Sequence, residues 1–372
     1  MLFDLSIVPH AVGGVSRYLL SLAKALSEVT PELEIDFIPV DVPAAHPGVQ
    51  GPDIDCMTLK TPFYLKIPLF RRIPLRRKWE ERSRATRLDI YAESAENVIY
   101  QHSGVQPEFP RGSRSVITMY DLSAFENPQW HTKETVEYAE KEAGLVNSGS
   151  SMLAISEWSG RRASEYFGLP QERIYSAGGA AEKIFSPGLP SDLLLSKMNL
   201  EAGHYLLHVG NFVPRKNIPF LLRVYARARE KGLKIPLVLV GAGTWGGLEI
   251  TEDTGVRILR NISDLAMVEL YRGARALLCP SRYEGLGLPV LEAFACGTPV
   301  ISSNAAALSE TVGNDGILLE PDDEEGWIRE IIELEDRERV KELTVMSSGA
   351  VRRSWVDIAK GVCGFYRRIS EK

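Results

Sequence analysis

The stretch YEGLGLPVLEAFACGTPVIS, residues 283–302, decides the predicted fold, because it contains the parts of one α/β unit in order. The apolar run RALLCPS (275–281) predicts a buried strand, and the glycines of EGLGLP permit close backbone approach. Pro289 suits the first turn of a short helix, Gly297 suits its C-terminal end, and TPVISS (298–303) predicts another strand. Strand, glycine loop, helix and strand indicate a βαβ unit of a parallel sheet.

Two glutamates flank this glycine loop: Glu284 precedes it, and Glu292 is predicted in the first turn of the helix after it. In parallel sheets, ligands bind outside the carboxyl ends of the strands, where this loop is expected to lie. The free N–H groups at a helix start suit a phosphate, and a carboxylate accepts hydrogen bonds from sugar hydroxyls. An isolated glutamate pair would be interpreted as solvated surface charge, but the loop and helix around this one predict a binding site.

Composition bounds the class of protein. A length of 372 residues suggests two domains, and 44% hydrophobic with 25% charged residues is typical of a globular protein. The net charge of -6 argues against a general nucleic-acid binder. The four scattered cysteines have no metal or redox spacing and indicate reduced thiols of a cytoplasmic protein. Residues 1–14 do not resemble a signal peptide, and no run approaches the roughly 20 apolar residues that cross a membrane.

The chain is predicted to fold as two α/β halves and a helical tail. Strand candidates alternate with amphipathic helices on both sides of GGAAEKIFSPGLPS (178–191), where glycine, proline and serine cluster and the domain boundary is expected. The last segment has apolar residues at helical spacing. A cleft between two such domains is the usual place for a ligand. The predicted parts are an N-terminal domain at 1–185, a C-terminal domain at 190–354 and a C-terminal helix at 355–372.

Three segments resemble glycosyltransferase family 4, whose members are retaining enzymes. They are the donor-binding segment PSRYEGLGLPVLEAFACGTPVISSNAAALSE (280–310), the phosphate loop GNFVPRKN (210–217) and the glycine loop with its helix GGVSRYLLSLAKAL (13–26). The resemblance covers nearly the whole chain and is closest to bacterial enzymes of O-antigen or capsule assembly, many of them mannosyltransferases. It implies the GT-B fold: two Rossmann-like domains, acceptor domain first and donor domain second, an interdomain cleft, and a last helix that returns to the first domain.

The resemblance also implies roles for the residues of these segments. Glu284 matches the glutamate that contacts the donor sugar near the reacting carbon, and Glu292 matches the one that holds the ribose hydroxyls. Arg215 and Lys216 match the basic pair on the donor diphosphate, whose charge grows as it leaves. Asn217 is expected to cap the helix that follows. The other donor-binding residues implied are Gly13, Gly14, Gly210, Asn211, Gly285, Gly287 and Leu288.

The chain departs from the family pattern at two positions. Tyr120-Asp121 stands where the family often has His-Asp, and Asn211 stands where some members carry an arginine. Asp121 is predicted to be catalytic, as a ligand of sugar or acceptor hydroxyls. Tyr120 and His102, at the end of the strand NVIYQH, are predicted contacts of sugar or acceptor. Phosphate neutralisation is expected to rest on Arg215 and Lys216.

The predicted activity is transfer of a hexose, with retention, from a nucleoside diphosphate sugar to an oligosaccharide or lipid-linked acceptor in polysaccharide biosynthesis. Mannose from GDP-mannose is the first candidate donor. No cofactor and no metal are expected, because a basic pair already faces the diphosphate. Two alternatives stay open: a sugar-nucleotide epimerase of the same fold, and a catalytically silent relative that only binds nucleotide.

Two short motifs point to other chemistry. Gly241, Gly243 and Gly246 have the spacing of dinucleotide binders, but the residues after them lack a helical apolar stripe. Asp53 and Asp55 have the D-x-D spacing of some metal-dependent transferases, in a context that favours a solvated loop. Both motifs are therefore interpreted without an oxidoreductase or metal function.

Residues 63–87 are unusually basic for this acidic chain. The interval from Lys66 to Arg87 contains nine basic and two acidic residues, with aromatic and aliphatic residues interleaved. Such a segment suits anionic lipid headgroups or the diphosphate of a lipid-linked acceptor. Contact with the inner face of the bacterial membrane and an ordinary solvated helix and loop both stay open.

Overall fold

The computed structural model describes residues 2–4, 13–29, 36–38, 99–102, 114–147, 149–242, 255–349 and 353–371. The basic segment 63–87, the Asp53 and Asp55 pair, and Gly243 with Gly246 lie outside the described residues. In the described part of the chain, every helix is too short or too polar to span a bilayer.

The first sheet is parallel at every described pairing and has the strand order β2-β1-β3-β4-β5-β6. Its strands are β1 (Leu2–Asp4), β2 (Asp36–Ile38), β3 (Ile99–His102), β4 (Arg114–Met119), β5 (Ser151–Ala154) and β6 (Ile174–Ser176). The helices described in this part are α1 (Gly14–Val29), α2 (Ser123–Glu126), α3 (Lys133–Asn147) and α4 (Glu157–Phe167).

The second sheet is also parallel and has the order β12-β11-β10-β7-β8-β9. Its strands are β7 (Leu206–Val209), β8 (Leu237–Val240), β9 (Val256–Leu259), β10 (Ala276–Cys279), β11 (Val300–Ser303) and β12 (Ile317–Leu319). Its helices are α5 (Asp192–Lys197), α6 (Ile218–Glu230), α7 (Asp264–Gly273), α8 (Leu288–Cys296), α9 (Leu308–Val312), α10 (Glu324–Glu333) and α11 (Arg337–Ser348).

Successive residues of the central strands face opposite helical layers. Leu206 and Leu278 pack into one apolar cluster with α6 and α10, while Leu207 and Leu277 pack into another with α7 and α8. Side chains alternate across a strand, and a parallel sheet covered on both faces needs apolar residues at nearly every position. This explains why RALLCPS and HYLLHVG are continuous apolar runs.

The strand order of the second sheet reverses between β7 and β10. These two strands pair directly, with Leu206 opposite Ala276 and Leu207 opposite Leu277, although β8 and β9 lie between them in sequence. Connections from the two strands leave in opposite directions and open a crevice at their carboxyl ends. The loops that carry Lys216 and Glu284 begin at this crevice.

The C-terminal helix α12 (Trp355–Ser370) lies against α1 of the first domain. Ile358, Val362 and Phe365 are fully buried in the cluster that also holds the apolar face of α1. The Tyr366 hydroxyl donates a buried hydrogen bond of 2.6 Å to Oε1 of Gln101 on β3. The apolar spacing of the tail therefore reflects its return to the first domain.

Candidate active site

Glu284 is the centre of the candidate site and is enclosed by hydrogen-bond donors. Its Oε1 accepts from Lys216 Nζ and, at 2.8 Å, from Ser281 Oγ. Its Oε2 accepts from Arg215 Nη1 at 2.9 Å. Glu284 is 5% exposed, so its carboxylate is largely excluded from solvent. A buried carboxylate is stable only when charge and hydrogen bonds compensate it, and here both are present.

The loop after β7 brings Lys216 to this carboxylate through close backbone contacts. The Gly210 N–H donates to Val240 O at 2.9 Å, and a Cβ on Gly241 would lie 2.0 Å from Gly210 O. The chain then turns through a short 3₁₀ helix, Pro214–Lys216, and Arg282 N donates to Arg215 O at 2.7 Å. Gly241 is thus required for packing between loops, which accounts for a glycine here without dinucleotide binding.

The charge balance keeps Glu284 ionised. Burial raises the pKa of a carboxyl, but the Lys216 ammonium and the Arg215 guanidinium outweigh it and lower the pKa of Glu284 to about 2. Since Lys216 has three N–H donors and Arg215 has five, and the contacts described use few of them, both cations retain donors for a phosphate.

Glu292 lies on the second turn of α8, so the prediction that places it in the first turn is wrong. The helix begins at Leu288, directly after Gly287 in a left-handed conformation with φ of 86°, and Glu292 is its fifth residue. Its Oε2 accepts from the Tyr271 hydroxyl at 2.8 Å, and its Oε1 accepts from Arg17 Nη1 at 3.1 Å. Because helical side chains tilt toward the N-terminus, this position still reaches the cleft.

Ionisation of Glu292 is expected to cost stability between pH 5 and 8. Burial raises its pKa to about 7, above the ordinary value of 4.5, although Arg17 and the Tyr271 hydroxyl lower it. A carboxyl with a raised folded pKa binds more protons in the folded state, so the free energy of unfolding falls as pH rises through this window. Relative to Glu292→Gln, the parent should lose about 2.5 kcal/mol of unfolding free energy from pH 5 to 8 in urea titrations. A parallel pH dependence of the two proteins would contradict this.

Asn217 does not cap α6 with its side chain, which is contrary to the prediction. It adopts a left-handed conformation with φ of 58°, and no side-chain cap hydrogen bond forms. Its Nδ2 instead donates to Pro280 O and Pro321 O, each at 3.2 Å. Asn217 therefore ties the phosphate loop to the loop that follows β10 and to the end of β12.

The first domain meets the Glu284 loop at Tyr120 and Asp121. A Cβ on Gly285 would lie 1.8 Å from Tyr120 O and 2.9 Å from Asp121 Cβ. The Tyr120 ring packs edge-on against Tyr18 of α1, with 6.2 Å between ring centroids. The Asp121 carboxylate accepts from Ser123 N at 2.8 Å and from its hydroxyl at 2.5 Å, at the start of α2. The backbone of this pair thus adjoins Glu284, while the Tyr120 ring joins the apolar core.

Further polar contacts join the two domains around the same loop. The Glu310 carboxylate accepts from the backbone N–H groups of Glu157 and Trp158, at 3.0 and 2.9 Å, at the start of α4. Ser159 Oγ donates to Gly285 O at 3.1 Å. A carboxylate is favoured at a helix N-terminus, so Glu310 of the second domain satisfies N–H groups at the start of α4 in the first domain.

The N-termini of α1 and α8 meet across the cleft. A Cβ on Gly14, the first residue of α1, would contact Leu288 Cδ1 at 3.5 Å. Gly13 has a φ of 137°, which favours glycine. The N-terminus of a helix suits an anionic group, and here two of them adjoin one cleft. His102 ends β3, on the same strand-end edge as Asp121 after β4. Asn211 lies exposed in the loop after β7.

The structure brings together three residues that sequence reasoning missed. Arg17 and Tyr271 hold Glu292, and Ser281 holds Glu284. Ser281 precedes Glu284 by three residues, and Arg17 lies one helical turn after the glycine loop. Both could therefore have been predicted from their nearness in sequence to the site motifs. Tyr271 could not, because its place on α7 looks like an ordinary apolar position. In the described ranges, no group of three or more His, Cys, Asp or Glu is placed to hold a metal ion.

Comparison with known proteins supports the fold and the family. Residues 203–337 match the family model of glycosyl transferases group 1. The chain is similar to the O-antigen chain mannosyltransferase B of Escherichia coli, 35% identical over 224 residues, which is 57% of this chain and 59% of that protein. The alignment thus spans less than two thirds of this relative.

Solved structures show the same architecture. Sucrose-phosphate synthase from Thermosynechococcus elongatus matches with a TM-score of 0.68 and 20% identity, over 99% of this chain and 98% of its own. HepE of Anabaena, solved in complex with UDP-glucose, matches with a TM-score of 0.62 and 16% identity, over 100% and 98% of the two chains.

Two parallel sheets, a cleft at the switch point of the second and a returning last helix define the class: this is a GT-B protein, as predicted. Within that class, residues 203–337 match the family model of glycosyl transferases group 1 and the chain is similar to an O-antigen chain mannosyltransferase, so the predicted resemblance to glycosyltransferases is borne out. The roles of the individual site residues stay predictions.

Proposed function

We propose that this protein is a retaining glycosyltransferase that moves a hexose from a nucleoside diphosphate sugar to an oligosaccharide or lipid-linked acceptor in polysaccharide biosynthesis. The observation that carries the proposal is the buried cluster of Glu284, Lys216 and Arg215 at the strand-order reversal. It combines a carboxylate for a sugar with two cations for a departing diphosphate. Transfer depends on stabilising the charge of that leaving group.

Mannose from GDP-mannose is the first candidate donor, because the similar Escherichia coli protein is an O-antigen chain mannosyltransferase. HepE, which has the same fold, was solved in complex with UDP-glucose, and this supports a nucleotide sugar as the donor. Arg215 and Lys216 supply the positive charge at the diphosphate, so the proposed reaction uses no metal. The acceptor hydroxyl attacks from the side of the departing phosphate, which takes its proton.

The first test is a donor panel. The purified protein is titrated with GDP-mannose and with other GDP- and UDP-sugars in the presence of EDTA, and both binding and release of nucleoside diphosphate are measured. One donor should bind and be slowly hydrolysed, and Glu284→Gln should reduce its turnover by about 10²- to 10³-fold. Glu342→Gln, which changes an exposed glutamate on α11, should behave like the parent. NMR of the product of a saccharide acceptor then shows whether the anomeric configuration of the donor is kept.

The outcomes separate the proposal from its rivals. A protein that binds a sugar nucleotide but never releases nucleoside diphosphate is a silent relative. Conversion of the nucleotide sugar to an isomer without release indicates an epimerase. Release that requires a divalent cation removes the metal-free part of the proposal and leaves the transfer.

A further inference from the structure

The Arg17 side chain joins the first domain to the second at the cleft. It extends from α1 of the first domain and contacts three separate parts of the chain beyond it. Nη2 lies 2.6 Å from Asp264 Oδ1 at the start of α7, and Nη1 lies 3.1 Å from Glu292 Oε1 on α8. Nε lies 3.8 Å from Glu182 Oε1 in the segment between the two sheets, and the guanidinium lies 5.3 Å from the centre of the Phe185 ring.

The environment of Glu292 explains why such a partner is needed. Its carboxylate is almost fully buried, and among the described residues the charged or titratable groups that face it are Arg17, the Tyr271 hydroxyl, Glu182 and Asp264. Two of these are acidic and oppose its ionisation, so Arg17 is the cation that favours the charged form. A protonated carboxyl has lost acceptor capacity, whereas a carboxylate offers about four acceptor positions.

Each oxygen of the Glu292 carboxylate keeps hydrogen-bond acceptor capacity beyond the contact described for it. Arg17 uses one acceptor position of Oε1, and Tyr271 uses one of Oε2. A vicinal diol such as a ribose can then donate one hydrogen bond to each oxygen. Arg17 also follows the glycine loop by one helical turn, since its N–H donates to Gly13 O at 3.2 Å.

We propose that Arg17 is a positioning residue of the donor site, which reaches across from the first domain to hold Glu292 as a carboxylate oriented for the ribose of the nucleotide. This inference rests on the proposed function, because it assumes that a nucleotide binds in the cleft. It assigns to the N-terminal domain a part in donor binding through Arg17, and it predicts that donor affinity depends on pH through Glu292.

The test measures affinity for GDP and for UDP by calorimetry at pH 6, 7 and 8, in the parent, Arg17→Gln, Arg17→Lys and Glu292→Gln. Affinity of the parent should rise with pH. Arg17→Gln should bind about tenfold more weakly at pH 7, with its curve displaced to higher pH, because Glu292 then remains protonated to higher pH. Arg17→Lys keeps the positive charge but loses the planar guanidinium, so its affinity should lie between that of the parent and that of Arg17→Gln. Glu292→Gln should bind nucleotide weakly, and its affinity should lack the increase with pH that ionisation of Glu292 causes in the parent.

Arg223→Gln is a matched control, because Arg223 makes the same kinds of contact on the outside of α6. Its Nε donates to Glu324 Oε1 at 2.5 Å, and its guanidinium lies 5.4 Å from the centre of the Phe220 ring. The binding curve of Arg223→Gln should equal that of the parent. The nucleotide's own phosphate ionisation is common to every variant and cancels in the comparison. Thermal unfolding reports whether each variant is folded, and if Arg17→Gln is not, Arg17→Lys carries the comparison.

The inference is overturned if Arg17→Gln binds nucleotide with the same affinity and pH dependence as the parent. It is also overturned if Arg17→Gln binds more tightly, because Arg17 would then compete with the ribose for Glu292. The inference is overturned as well if the affinity of Glu292→Gln increases with pH as much as the affinity of the parent does. If Glu292→Gln weakens binding and Arg17→Gln does not, the proposed function stands and only this inference falls. If neither nucleotide binds the parent, both fall together. With a known donor, Arg17→Gln should raise KM and leave kcat within about threefold.

Discussion

Replacing Lys216 by methionine is expected to reduce sugar transfer by about 10²- to 10³-fold and the free energy of unfolding by about 3 kcal/mol. The ammonium bonds the buried Glu284 carboxylate, so its removal leaves a buried negative charge with Arg215 and Ser281 alone. Under the proposed function it also removes a cation that would stabilise the leaving diphosphate. Transfer assays with the donor found in the panel and urea unfolding measure the two effects separately.

The double variant Lys216→Met with Glu284→Gln distinguishes chemistry from folding. Both single variants remove the same Lys216–Glu284 ion pair, so the loss of unfolding free energy in the double variant should be smaller than the sum of the two single losses. Transfer should stay as low as in the single variants. If Lys216→Met loses stability but keeps its turnover, Lys216 is only a structural partner of Glu284.

Replacing Gly285 by alanine is expected to lower transfer by at least about 100-fold. The new Cβ would lie 1.8 Å from Tyr120 O, a backbone atom that cannot move without the strand end behind it. The loop that carries Glu284 must therefore shift away from the first domain by about an ångström, and reacting groups tolerate little displacement. Steady-state transfer and the midpoint of thermal unfolding are the measurements.

Gly364→Ala is the matched control, because a Cβ on Gly364 of α12 meets nothing within 4 Å. Alanine has the better helix propensity by about 1 kcal/mol, so this variant should be as active as the parent and slightly more stable. A Gly285→Ala protein that behaves like Gly364→Ala would show that the loop and Tyr120 can separate without cost.

The local parts of the site were predictable because they depend on residues that are near in sequence. The glycine loop, the helix after it and the apolar strands before and after it follow from spacing and composition, and Glu284 and Glu292 could be placed beside a ligand crevice. The tail helix was predictable because Ile358, Val362 and Phe365 share one face.

The contacts that organise the site were not predictable, because they join distant parts of the chain. Arg17 and Glu292 are 275 residues apart, and nothing in the periodicity of α1 indicates which carboxylate its arginine meets. Asn217 looked like a cap because asparagine is common there, yet its amide is needed to satisfy two carbonyls of neighbouring loops. Tertiary hydrogen bonds overrode the local preference.

The contact of Gly285 with Tyr120 and the placement of Glu310 on α4 have a consequence for protein engineering. Chimeras that graft a foreign N-terminal half onto this donor domain will not be neutral exchanges of modules, even if each half folds. The foreign half must fit as closely against Gly285 as the backbone of Tyr120 does, and it must present free N–H groups where Glu157 and Trp158 offer theirs. Productive crossovers should therefore transfer residues 120–121 and 156–159 together with the donor domain.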